Sequence, residues 1–118
     1  MRVLLLMLCV GLSLLAQHLT TEEFEKHLKD KKVFLLDVRE PKEIQENGSV
    51  KGYVNIPVGE LEKRMSEIPK DKLIITMCQK GGRAARALEL LAKNGYKTLG
   101  SCGLADYKQK GKELVYPK

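Results

Sequence analysis

The sequence predicts a single α/β domain built around a parallel sheet. Short apolar segments that are typical of buried strands alternate with segments of helical periodicity. One apolar segment, residues 73–77, runs directly into a cysteine, a glycine-rich loop and a helix. The chain has 118 residues, a length that suits one globular core and is too short for two. Its composition, 43% hydrophobic and 31% charged, is that of an ordinary globular domain.

The first half of the chain contains two helices that enclose a strand. Thr20 or Thr21 is the expected N-cap of the first helix, because acidic residues fill the next turn and apolar residues follow at helical spacing. Residues 33–36 then form an apolar strand. A second, short helix begins at Pro41 and ends at Asn47-Gly48.

The second half continues the alternation. Each element is bounded by a proline, a glycine or a change of periodicity. The predicted elements are a strand over 53–56, a helix over 61–68, a strand over 72–77, a helix over 82–94 that stops at Gly95, a strand over 96–99 and a helical tail from Gly103.

Cys78 is the most informative residue, because it lies where an apolar strand ends and a glycine-rich loop begins. Ligands bind at this edge of a parallel sheet, and the amides of such a loop and of the next helix favour an anionic sulfur. A buried cysteine followed by an ordinary turn is the simpler alternative. The Gly81-Gly82 pair and the neighbouring Lys80 and Arg83 favour a reactive thiolate that handles an anion.

Composition argues against several other kinds of site. Three cysteines without a Cys-x-x-Cys motif and only two histidines indicate neither a structural metal nor a disulfide framework, and we expect no cofactor. The formal charge is +6, but the lysines are spread along the chain and only 5% of residues are aromatic. This pattern favours attraction of small anions over nucleic-acid binding.

The first sixteen residues differ from the rest. Met1-Arg2 is followed by fourteen uncharged residues, of which Ser13 alone is polar. A basic start, an apolar stretch too short to span a bilayer comfortably and Ala16 before Gln17 predict a secretory signal peptide. We therefore expect a domain over 17–118 in the periplasm or outside the cell, with no membrane insertion after cleavage. An uncleaved anchor and a buried first element are the alternatives.

Four segments, in the same order and spacing, resemble the rhodanese or single-domain sulfurtransferase family. They are Leu36 to Glu40, the stretch GSVKGYVNIP from Gly48, the loop CQKGGR from Cys78 and the stretch NGYKTLGSCGLADY from Asn94. The resemblance covers residues 17–118. It implies a three-layer α/β fold with a parallel sheet of about five strands and helices on both faces. It also implies transfer of sulfane sulfur through a cysteine persulfide.

The resemblance assigns roles residue by residue. Cys78 is implied as the nucleophile and persulfide carrier. The implied substrate-binding residues are Gln79, Lys80, Gly81, Gly82 and Arg83, and the implied supporting residues are Asp37, Arg39 and Cys102. We expect Asp37 and Arg39 to form an ion pair between two loops rather than to act in catalysis. The implied partners are a small anionic sulfur donor such as thiosulfate and a thiol or cyanide acceptor. We expect the protein to be a monomer.

Some positions depart from the family pattern. Ala84 stands where a serine is common, and Cys102-Gly103 stands where two glycines are common. Cys102 has two interpretations: it resolves the Cys78 persulfide as a disulfide, or it is a buried thiol without a role in the reaction. We assign His18 and His27 to the surface or to packing, because neither lies in a motif.

Two other functions fit the same residues. A cysteine phosphatase or arsenate reductase also uses a cysteine loop that ends in an arginine. This interpretation is less favourable because four residues separate Cys78 from Arg83, whereas the phosphatase relatives of the fold have five residues between the cysteine and the arginine. A non-catalytic or redox binding module is the other alternative, and the intact cysteine with its glycine-rich loop argues against it.

Overall fold

The computed structural model of this chain describes residues 18–118. The predicted signal peptide, with its Cys9, lies outside the described residues. Helices and strands alternate through the described part, as the sequence predicts. Between residues 18 and 118, no helix combines the length and the apolar character needed to cross a membrane.

The observed elements match the predicted order, and three of them differ in length by two residues or more, including the strand expected over 53–56, which is shortened to Val54–Asn55. The helices are α1 (Thr21–Leu28), α2 (Pro41–Asn47), α3 (Leu61–Arg64), α4 (Gly82–Lys93) and α5 (Leu104–Gln109), and the strands are β1 (Val33–Asp37), β2 (Val54–Asn55), β3 (Leu73–Cys78) and β4 (Lys97–Gly103). The helix expected over 61–68 is shorter because its last turn tightens into a 3-10 turn, Met65–Glu67. The strand expected over 96–99 continues to Gly103, since its small residues pair with β3.

The helix ends follow from local chemistry. The Thr20 hydroxyl accepts a hydrogen bond from the Glu23 amide at 3.1 Å, and the Glu23 carboxylate accepts one from the Thr20 amide at 2.9 Å. This capping box confirms Thr20 as the N-cap of α1. Gly95 follows α4 with φ +84°, the left-handed conformation expected after a helix.

The sheet is parallel, with strand order β2-β1-β3-β4. The expected count of about five strands is one too high for the part of the chain that the structure describes. Residues 18–20, which precede α1 in the described part of the chain, form an isolated parallel bridge between His18 and Ser101, and the Leu19 amide donates to the Ser101 carbonyl at 2.8 Å. On the side of α1 the bridge is limited by Thr20, which is the N-cap of that helix.

Helices cover both faces of the sheet, which confirms the predicted three-layer arrangement. Successive residues of β3 point to opposite faces, so Ile74 and Ile75 belong to different apolar clusters. The first cluster joins the sheet to α3 and α4, and the second joins it to α1 and α5. Because all strands are parallel, Asp37, Cys78 and Gly103 end three neighbouring strands at one edge, where the candidate site lies.

Candidate active site

The sulfur of Cys78 lies at the end of β3 and is held by two backbone amides. Its Sγ accepts hydrogen bonds from the Gly81 amide at 3.0 Å and from the Ala84 amide at 3.3 Å. The residue is only 1% exposed. N–H groups that converge on a sulfur at a helix N-terminus stabilise negative charge on it, as the loop composition predicts.

The turn between β3 and α4 needs a glycine at one position. Gly81 has φ +113°, a conformation that a residue with a Cβ rarely adopts. The turn brings the Gly81 amide onto the sulfur and begins α4 one residue later. The Thr76 hydroxyl donates to the Ala84 carbonyl at 2.7 Å and ties the first turn of α4 to the strand. The loop and helix therefore present their amides to Cys78 as one unit.

Gly103 supports the back of this loop, a role that the sequence analysis did not assign. It pairs with Cys78 in the sheet, and a Cβ built on it would lie 2.8 Å from the Lys80 carbonyl carbon and 2.9 Å from its oxygen. The Ala105 amide donates to the Gln79 carbonyl at 3.0 Å from the same side. Because these neighbours are backbone atoms, a side chain at position 103 has to move the loop.

Asp37 and Arg39 form the expected ion pair and are both buried. Arg39 donates from Nε to Asp37 Oδ1 at 3.0 Å and from Nη2 to Oδ2 at 2.7 Å. The same guanidinium donates to the Gly48 carbonyl at 2.8 Å and to Gln79 Oε1 at 3.2 Å, and the Ser49 hydroxyl donates to Asp37 at 2.7 Å. The pair thus joins the Gly48 loop to the Cys78 loop. The pair also holds Gln79, and none of these hydrogen bonds reaches the Cys78 sulfur.

Arg83 is engaged by a carboxylate that the sequence analysis did not single out. Its Nη1 and Nη2 donate to the two oxygens of Glu43 on α2, both at 2.8 Å. Both side chains are about one-third exposed. Hydrogen bonding from Arg83 lowers the pKa of Glu43 to about 2, and the Glu43 hydrogen bonds raise the pKa of Arg83. Forty residues separate the partners, so no local pattern indicates the contact.

An open pocket of about 440 Å³ lies over the loop. Its lining residues are Glu43, Cys78, Gln79, Lys80, Gly82, Arg83 and Arg86. Four of the five predicted substrate-binding residues therefore line it together with Cys78. Gly81 is buried and contributes its amide to the sulfur. Three cations face one carboxylate here, so the pocket favours small anions.

Cys102 lies on the other face of the sheet from Cys78. Its register partner is Met77, and it packs in the cluster with α1 and α5, whereas Cys78 packs with α4. Burial, followed by repulsion from Cys78, raises the pKa of the Cys102 thiol to about 12. Side chains that leave the sheet in opposite directions are poorly placed for a disulfide. This geometry favours the interpretation of Cys102 as a buried thiol.

Neither histidine lies in the pocket. His18 is exposed and lies beside the loop, with its Cε1 3.5 Å from the position that a Cβ of Gly81 would take. His27 is on α1. Among residues 18–118, no cluster of three or more histidine, cysteine, aspartate or glutamate side chains is arranged to hold a metal ion. The groups that the structure places at the site are the Cys78 sulfur, two backbone amides and the cations of the pocket.

Comparisons of sequence identify one family. A sequence model of the rhodanese-like domain matches residues 20–109. A protein of Allochromatium vinosum named sulfurtransferase is 32% identical over 83 residues, which are 70% of this chain and 77% of that protein. The mitochondrial thiosulfate sulfurtransferase RDL2 of Saccharomyces cerevisiae is 35% identical over 107 residues, with 79% of this chain and 71% of that protein covered.

Other relatives differ in length from this chain. The protein YqhL of Bacillus subtilis, whose name describes it as uncharacterized, is 44% identical over 77 residues, or 65% of this chain. The chain spans 59% of the length of YqhL. Among solved structures, a rhodanese-related protein from Thermoplasma volcanium is similar with a TM-score of 0.77 and 28% identity, covering 84% of this chain and 97% of that one.

Proposed function

This chain belongs to the rhodanese-like domain family, and on that basis we propose that it is a sulfurtransferase that carries sulfane sulfur as a persulfide on Cys78. The observation that carries the proposal is the pair of amide hydrogen bonds to Sγ, in a pocket lined by cations. A persulfide and its thiolate are both anionic, so the same donors stabilise each state without a proton relay.

The first half-reaction transfers sulfur to the enzyme. The Cys78 thiolate attacks the outer sulfur of thiosulfate, the sulfur–sulfur bond of thiosulfate breaks, and sulfite leaves with the electron pair. The product is a Cys78 persulfide anion, so charge is conserved. The Gly81 and Ala84 amides, which donate to Sγ, stabilise the negative charge on the attacking sulfur.

The second half-reaction returns the enzyme to its starting state. Cyanide, or a thiolate, attacks the outer sulfur of the persulfide and releases the Cys78 thiolate, and with cyanide the product is thiocyanate. No proton has to be supplied to the leaving sulfur, which suits a site in which no histidine lines the Cys78 pocket. The names of the relatives as sulfurtransferases support this reaction class.

Intact-protein mass spectrometry tests the proposal directly. Incubation with thiosulfate should add one sulfur atom to the protein, a peptide map should place it on Cys78, and cyanide should remove it as thiocyanate. A parallel incubation with an aryl phosphate tests the phosphatase alternative. Phosphate release without sulfur addition would overturn the sulfurtransferase assignment.

Replacing Gly103 with alanine should slow sulfur transfer. The Gly103 backbone has φ −109°, which alanine accepts, so the effect is steric: the new methyl group meets the Lys80 carbonyl and displaces the loop that holds the Cys78 amides. We expect a loss of at least about tenfold in kcat/KM, because small displacements of positioned groups are costly. Steady-state kinetics with thiosulfate and cyanide measure this effect.

Gly59→Ala is the matched control, because a Cβ at position 59 meets nothing within 4 Å. It should retain the wild-type kcat/KM. Equal activities for the Gly103 and Gly59 variants would show that the loop does not depend on its contact with β4.

Replacing Cys102 should leave persulfide formation on Cys78 nearly unchanged. With a pKa of about 12, the Cys102 thiol is protonated at neutral pH and is a poor nucleophile. We expect the single-turnover rate of sulfur addition to Cys102→Ser to lie within about twofold of wild type, and Cys102→Ala serves as a second variant without a buried hydroxyl. Failure of both folded variants to accept sulfur would assign Cys102 a part in the reaction.

A further inference from the structure

The cations around Cys78 are not equally available to a ligand. Glu43 accepts from both terminal nitrogens of Arg83, in the bidentate arrangement that is the strongest form of this pair. Lys80 and Arg86 line the same pocket, and within the described residues neither side chain has a hydrogen bond or an ion pair. The residue that the sequence pattern favours as an anion ligand is therefore already occupied.

We propose that Lys80 and Arg86, rather than Arg83, bind the distal anionic group of a doubly charged sulfur donor, and that Glu43 enforces this choice by occupying Arg83. The inference rests on the proposed sulfur transfer and names the substrate class of the same site. It also assigns a role to Arg86, which lies outside the glycine-rich loop.

The placement of the two residues supports this assignment. Lys80 lies in the loop before α4, Arg86 lies on α4 one turn after Gly82, and both side chains line the pocket that contains Cys78. When the sulfane sulfur of a donor contacts Cys78, the charged oxygens of the donor lie on its other side, away from Cys78. The exposed ammonium of Lys80 and guanidinium of Arg86 attract a dianion there more strongly than a monoanion.

Glu43 is ionised at neutral pH, because its hydrogen bonds with Arg83 lower its pKa to about 2. The carboxylate and the guanidinium together contribute no net charge to the pocket. Lys80 and Arg86 then supply its two remaining positive charges, which equal in number the negative charges of thiosulfate. Removal of Glu43 alone should release Arg83 and make the pocket more attractive to anions.

Binding is best measured in a protein that does not react. In a Cys78→Ser background, calorimetry with thiosulfate and with sulfate gives the affinity of the pocket for a dianion. We expect Lys80→Gln and Arg86→Gln each to weaken binding about fivefold, the effect typical of one partly exposed charge. Lys93→Gln is the matched control, because Lys93 lies at the far end of α4 and its loss changes the net charge equally. It should leave the affinity within about twofold.

Variants of the Glu43–Arg83 pair separate the proposed arrangement from direct binding by Arg83. Arg83→Gln alone should weaken binding because it leaves Glu43 uncompensated in the pocket, and Glu43→Gln alone should strengthen it. The double variant Glu43→Gln/Arg83→Gln should bind thiosulfate within about twofold of the Cys78→Ser parent. A double variant that binds as weakly as Arg83→Gln would place Arg83 on the donor and overturn the inference.

The two levels of proposal fail separately. If the wild-type protein forms a persulfide but dianion affinity is insensitive to Lys80 and Arg86, the binding inference is wrong and the sulfurtransferase proposal stands. If the binding pattern is as expected but thiosulfate never adds sulfur to Cys78, the proposed function is wrong and the pocket remains a dianion site.

Discussion

Replacing Cys78 with serine is expected to lower the rate of sulfur transfer from thiosulfate to cyanide by at least about a thousandfold while leaving the fold intact. A serine hydroxyl is almost fully protonated at neutral pH, and it does not form a stable persulfide equivalent. Its oxygen still accepts hydrogen bonds from the Gly81 and Ala84 amides that now bind the sulfur. The variant therefore removes the chemistry and retains the loop.

Turnover of thiosulfate to thiocyanate measures the loss, and circular dichroism with thermal unfolding checks the fold. Cys78→Ala is a useful companion, because it leaves both amides without an acceptor and should be less stable than the serine variant. The Cys102→Ala protein, with Cys78 intact, is the matched cysteine control. A well-folded Cys78→Ser protein that keeps its turnover would contradict the mechanism.

The sequence was sufficient to predict the elements that depend on neighbouring residues. An N-cap at Thr20 or Thr21, the apolar run that ends at Cys78 and the glycine turn before α4 each follow from chemistry within a few positions. The parallel sheet follows from apolar strands that alternate with helices. For this reason the fold class and the location of the nucleophile at the sheet edge were accessible without the structure.

The features that sequence reasoning missed depend on contacts between distant segments. The Glu43–Arg83 bridge joins α2 to α4, and Gly103 touches a loop more than twenty positions earlier in the chain. Neither partner carries a local signal for the other. The strand that ends at Gly103 was also underestimated, because its glycine and serine residues are typical of turns and become strand only through pairing with β3.

The face on which Cys102 lies could not be predicted for the same reason. A shift of one residue in register would move this side chain to the opposite face of the sheet. The pairing of Met77 with Cys102 places the thiol among the residues that contact α1 and α5. A position near the same edge of the sheet therefore does not give Cys102 access to the Cys78 sulfur.

Replacing Asp37 with alanine is expected to lower the free energy of unfolding by about 3–5 kcal/mol, the range for breaking a buried ion pair from one side. Arg39 is 1% exposed and would lose three hydrogen bonds to the carboxylate, two from its guanidinium and one from its backbone amide, while the guanidinium stays charged. The Ser49 hydroxyl would lose its acceptor as well. Since small domains are stable by only about 5–15 kcal/mol, this loss threatens folding at elevated temperature.

Urea denaturation measures the effect, and a second variant separates lost charge pairing from lost packing. Asp37→Ala/Arg39→Met removes both charges and should recover much of the stability, because no uncompensated charge remains buried. Glu67→Ala, which breaks the exposed Arg64–Glu67 pair, should cost far less. Although more stable, the double variant should transfer sulfur more slowly than wild type, because Gln79 in the Cys78 loop has lost its hydrogen bond from Arg39. If the double variant is as unstable as Asp37→Ala, the unpaired charge on Arg39 is not the cause of the lost stability, and the expectation is wrong.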